Sequence, residues 1–126
     1  MSVIGVAIGA AIAVLPTAPT LTGPIERGRQ AAVAKWGEIP CEGTVRILRR
    51  HLPGRVAGEA FYRTDMEGTR RWDCEVTVDV GQLRDRGQRC AVAMHEFGHL
   101  FGLGHSPDPR SVMHSPLSVV PRACRR

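Results

Sequence analysis

Residues 95–105 read HEFGHLFGLGH and hold three of the chain's five histidines, one glutamate and three glycines. A helix puts residues four apart on one face, one turn apart, so His95 and His99 aim their imidazoles at one point. Glu96 lies beside His95 and three residues before His99, close enough to reach a water held at that point. The pattern H-E-x-x-H uses this geometry to hold zinc and to place a general base. Two ligands leave a catalytic zinc site incomplete, whereas three protein ligands with an open fourth position complete it. His105 follows six residues after His99, and continued helix would carry it away along the axis. Gly102 and Gly104 answer this, because glycine takes positive backbone dihedrals at little steric cost and can end a helix in a sharp turn. The expectation is a helix from about Gln88 to Phe101, a glycine turn, and one catalytic zinc ion held by His95, His99 and His105 with Glu96 beside it.

The rest of the chain must build a scaffold for that site. With 126 residues, 43% of them apolar and 23% charged, the composition is that of one folded domain. The net charge is +5, from 16 arginines and one lysine spread along the chain. Three Phe, one Tyr and two Trp are too few to interleave with them as a stacking surface, so nucleic acid is not an expected partner.

Val3 to Leu15 is an uncharged apolar run of 13 residues followed by PTAPTLTGP. A membrane span needs about 20 apolar residues, so the run fits the apolar region of a secretory signal peptide rather than a stable span. No Lys or Arg precedes it, and a buried first element of the domain is the alternative. Export is the favoured reading, with residues 1–22 as leader and 23–126 as the domain. Cys41, Cys74, Cys90 and Cys124 form no C-x-x-C pair, which in an exported chain suggests two disulfides. Three connectivities are open; the guess from chain order is that Cys74–Cys90 ties strand to helix and Cys41–Cys124 tethers the tail.

Three strands and an early helix complete the outline. PIERGRQAAVAKWGEI has Pro24 in a first turn, Glu26 at the positive end of the dipole, Ile25, Ala32, Val33 and Trp36 at helical spacing, and Gly37 as a stop. GTVRILRR and AGEAFYR suit strands, and HLPGR between them is a turn. WDCEVTVDV alternates Cys74, Val76, Val78 and Val80 against Glu75, Thr77 and Asp79, the clearest period of two in the chain.

The full pattern H-E-x-x-H-x-x-G-x-x-H, followed by HSPDPRSVM from His105 to Met113, resembles the metzincin zinc metallopeptidases, and within them the matrixin branch. The order of an early helix ending near a tryptophan, then strands, then the motif helix is similar to that branch over roughly residues 24 to 116. The resemblance implies an α+β, zincin-like catalytic domain with a small twisted mixed sheet, an active-site helix and a methionine turn at Met113, whose side chain floors the histidines. It implies a secreted, monomeric zinc endopeptidase in which Glu96 takes a proton from the attacking water. Its protein or peptide substrate would lie extended along a sheet edge, for which CEVTVDV is the candidate. Matrixins usually also carry a cysteine-bearing propeptide, structural zinc and calcium sites and a C-terminal helix; none of these is evident in this sequence, and the disulfides are expected to staple the domain instead. The alternative is a zinc-binding, non-proteolytic interaction module, for which a general base at Glu96 would be superfluous. His51 and His114 fall outside the pattern and are expected at the surface.

Overall fold

The computed structural model describes residues 23–125, so the apolar run and the leader assigned to it lie outside the described residues. Helix α1 spans Pro24–Trp36, strands β1, β2 and β3 span Val45–Arg49, Gly58–Thr64 and Arg71–Val78, and helix α2 spans Arg86–Leu100. Single turns of 3-10 helix occupy Cys41–Gly43 and Arg122–Cys124. A mixed three-stranded sheet with two helices is the α+β arrangement that the sequence implies. Among the described residues no helix is long and apolar enough to cross a membrane.

Helix α1 begins with Pro24, whose missing N–H costs nothing in a first turn, and stops at Gly37 with φ 107°. It buries Ile25, Glu26, Gly28, Ala31 and Ala32. Gly28 sets its distance from α2: a Cβ there would lie 2.5 Å from Cys90 O and 2.7 Å from Ala93 Cβ. Two backbones can approach so closely only where one side chain is missing. Helix α2 starts at Arg86, two residues before the expected Gln88 and inside the polar GQLRDRGQR segment, because Asp85 caps it by accepting from Gln88 N at 3.1 Å. From Cys90 through Gly98 it is buried on every side. Ile25, Ala32, Val76, Val78, Phe97 and Leu100 form the middle of the core, each at most 2% exposed.

The sheet order is β1-β3-β2, with β1 parallel and β2 antiparallel to β3. This corrects the expected substrate edge. CEVTVDV lies in the central strand, hydrogen-bonded on both sides, so the free edges belong to β1 and β2. Its even alternation also stops short. Cys74, Val76 and Val78 are buried as expected, but Thr77 and Asp79 on the opposite face are buried too, at 2% and 1% exposed, and Asp73 has φ 56°. The carboxylate of Asp79 accepts from Leu52 N at 2.8 Å, Gly81 N at 3.0 Å and Gln82 Nε2 at 2.8 Å. These bonds draw it inward and knot the β1–β2 loop to the chain leaving β3.

The disulfides are Cys41–Cys74 and Cys90–Cys124, not the pairing guessed from chain order. The parallel register sets Val45 opposite Cys74, so the turn just before β1 delivers Cys41 to the start of β3. A helix that follows a strand and packs back on its sheet runs the other way, so the start of β3 lies beside the end of α2. Arg71, the first residue of β3, packs its guanidinium 2.8 Å from where a Gly102 Cβ would be. Cys74 is therefore remote from Cys90 at the beginning of α2, and Cys90 takes the tail.

Candidate metal centre and cleft

The histidines converge as their spacing requires. His95 and His99 project from one face of α2, and the ring centroids of His95, His99 and His105 form a triangle with sides of 4.9, 5.2 and 4.9 Å. One nitrogen from each lies within 4.8 Å of the other two. His95 is buried and His105 is exposed, so the triad opens to solvent on one side.

The turn after α2 is what brings His105 back. Leu103 N–H donates to Gly98 O at 3.1 Å and Gly102 N–H to His99 O at 3.0 Å, the paired bonds of a Schellman cap with Gly102 at φ 92°. Gly102 alone supplies the left-handed residue; Gly104, expected to share that task, has no positive φ. The same cap aims Leu103 O at His99 Nδ1, 2.8 Å away. Val112 O lies 2.7 Å from His95 Nδ1. A carbonyl only accepts, so both rings carry their proton on Nδ1 and keep the Nε2 lone pair free. That is the protonation state a metal requires. Burial acts most strongly on His95 and, although the Val112 hydrogen bond opposes it, holds the pKa below its ordinary value with smaller help from the neighbouring His99 and His105, which favours the neutral ligand form.

The loop that supplies Val112 O is closed on itself. Ser106 N–H donates to Met113 O at 2.9 Å, Asp108 O accepts from Ser111 N at 2.9 Å, and Ser111 Oγ accepts from Met113 N at 3.0 Å. Met113 is 5% exposed and lies under α2 at Gly98. A Cβ at Gly98 would run into Met113 Sδ and come within 3.2 Å of Trp36 Cη2. Gly98, passed over in the sequence, is thus the seat of the methionine. An isolated glycine inside a helix costs roughly 1 kcal/mol against alanine, and that cost was the available signal of a close approach.

Glu96 is 7% exposed and faces the same cleft. Burial lifts its pKa to about 7, with the charge of Glu59 adding to the shift. The cleft is about 750 Å³ and runs between α2, the start of β2 with the loop before it, and residues 115–120. This last segment, an apolar wall of Pro116, Leu117, Val119 and Val120, was not singled out in the sequence. The Cys90–Cys124 disulfide anchors the chain just beyond it to α2. His51 is exposed beside Asp79, and His114 bonds Pro116 O through Nδ1 at 2.9 Å; neither joins the triad.

Three imidazoles converging on one point, an open side and a buried carboxyl next to them suit a tetrahedral zinc with one free position. The comparisons with known proteins agree. The chain is 36% identical over 74 residues to metalloendoproteinase 1 of Glycine max, covering 56% of this chain and 24% of that protein. It is 36% identical over 81 residues to stromelysin-3 of Homo sapiens, covering 58% of this chain and 16% of that protein. It is 59% identical over 27 residues to the archaemetzincin of Pyrococcus horikoshii, covering 21% of this chain and 14% of that protein. The chain therefore spans about a quarter or less of the length of these curated relatives. No solved structure gives a significant match. The model of the matrixin family, peptidase M10, matches residues 48–124, which takes in strands β2 and β3, the motif helix, the methionine loop and the tail as far as Cys124, and the chain belongs to that family.

Proposed function

We propose that this chain is a secreted zinc endopeptidase, with residues 23–126 as its catalytic domain. The observation that carries the reading is the convergence of His95, His99 and His105 within 4.8 Å, beside a carboxyl whose surroundings lift its pKa to about 7. His95, His99 and His105 would hold one zinc ion, His95 and His99 through Nε2. Zinc in such a site lowers the pKa of a water and polarises a carbonyl.

Glu96 takes the proton from the attacking water on a carboxylate oxygen and hands it to the leaving amine, so the carboxylate is regenerated and no proton is lost. A group that accepts and releases a proton near neutrality does this most efficiently when its pKa lies near the working pH. Strand β2 offers a free edge whose first residue lines the cleft, and an extended peptide pairs with it as an added strand. The wall at 115–120 receives a substrate side chain. Two disulfides are consistent with an oxidising compartment, and the apolar run at Val3–Leu15 with a leader that directs export. The protein acts as a monomer, and nucleic acid has no part in the activity.

Zinc content and cleavage of casein test this together, for the native chain and for Glu96→Ala, with and without a chelator. One zinc per chain and chelator-sensitive cleavage lost in Glu96→Ala are expected. Stoichiometric zinc with no cleavage of casein or of a diverse peptide library would favour a non-proteolytic zinc module, and no zinc would remove the site assignment.

A further inference from the structure

We infer that Gly58 is the positioning residue of the Glu96 carboxylate, its missing side chain forming the slot in which that carboxylate lies. The inference rests on the peptidase reading of Glu96. Among the described residues no hydrogen bond holds the Glu96 carboxylate, so contact alone sets its place. A Cβ built on Gly58 would lie 3.0 Å from both Glu96 Cγ and Glu96 Oε2, and 2.6 Å from Val92 Cγ1 one turn earlier on α2. The backbone of Gly58 is not in the left-handed region, so no dihedral demands glycine there. The contact is the reason for it.

The wall of the slot is stiff. Gly58 pairs with Val78 in the antiparallel ladder, and the preceding Ala57 O accepts from Asp79 N at 2.9 Å. Asp79 is itself tied by Leu52, Gly81 and Gln82. A side chain added at 58 therefore cannot push the strand away, and Glu96 has to yield. It would retreat by about half an ångström to reach ordinary van der Waals separation. A misplacement of about 1 Å costs on the order of 100-fold in rate, so half of that costs roughly tenfold.

Gly58→Ala alone would also strike Val92, so the test compares Val92→Ala with Val92→Ala/Gly58→Ala in the full chain loaded with zinc. Crystal structures of the two should show the Glu96 carboxylate displaced by about half an ångström in the double variant, the separation that contact requires. Zinc stoichiometry should be equal in both. Against a casein-derived peptide, kcat of the double variant should be roughly tenfold below that of Val92→Ala, with KM changed less than about twofold. An undisplaced carboxylate, or a loss residing wholly in KM, would overturn the inference and leave Gly58 as part of the substrate edge only. If neither variant nor the native chain cleaves, the peptidase reading fails by itself, while the position of the carboxylate still decides whether Gly58 sets it.

Discussion

Asp79 and Glu96 are both buried carboxyls, 1% and 7% exposed, yet their surroundings drive them in opposite directions. Asp79 is held down to about 2, first by the Leu52 backbone N–H, then by the Gln82 side chain and further donors, which outweigh its burial. Glu96 has burial acting on it first and the charge of Glu59 second, both upward, and rises to about 7. Burial therefore does not decide what a carboxyl does; its hydrogen-bond donors do. A saturated carboxylate is a fastener, committed to its charge. One left without donors remains ready to exchange a proton, and such groups mark functional sites.

The sharpest attack on this contrast exchanges each acid for its amide. Glu96→Gln should lower kcat/KM by roughly 100-fold to 10,000-fold, the range a general base contributes, with zinc still bound at one per chain. Its melting temperature should not fall, since no hydrogen bond is lost. A steep fall in stability would mean that Glu96, too, is structural.

Asp79→Asn should do the reverse. An amide presents one acceptor oxygen where the carboxylate presents two, so part of the cluster of donors from Leu52, Gly81 and Gln82 is left unpaired in the interior. The melting temperature is expected to fall by several degrees, with zinc stoichiometry unchanged, as thermal unfolding and metal analysis would show. An unaltered melting temperature would reduce the Asp79 knot to a surface feature.

Acid titration sharpens the comparison further. The native pKa of Asp79, about 2, lies below its ordinary value of 3.8, so the unfolded chain takes up the proton first as pH falls. The stabilisation is complete above about pH 4 and is lost as pH drops through about 2. Urea denaturation of the metal-free chain across that window should show the native protein losing stability more steeply than Asp79→Asn. Parallel curves would show that Asp79 does not carry the shift. The smallest effect belongs to His51, whose ring approaches Asp79 at 3.1 Å from a side chain that is 82% exposed. His51→Ala should leave the melting temperature nearly unchanged, because exposed ion pairs contribute about 0–1 kcal/mol.

The two disulfides illustrate how far a linear reading reaches. Four cysteines without a metal-binding spacing announce two bridges, but their pairing depends on which strands are neighbours. The parallel register of β1 on β3 and the reversal of α2 against the sheet are contacts between distant segments. They seat Cys41 by Cys74 and leave Cys90 for Cys124. The misplaced substrate edge has the same origin: alternation in CEVTVDV reports a strand with a buried face, and says nothing of whether one neighbour or two flank it.

What is local in the chain is legible in its order of residues. The offsets of His95, Glu96 and His99 are properties of a single helix, and Gly102 ends that helix by its own backbone freedom, so the proposed ligand set with its third member His105 can be written down without any fold. Long-range contact is needed for everything that tunes them. Val112 O reaches His95 from a loop 17 residues on, Gly98 takes its role from Met113, and Gly58 meets Glu96 across a sheet edge. The reason is physical: a helix turn repeats through short-range hydrogen bonds, whereas burial, donors and steric walls come from whichever distant segments the core brings alongside.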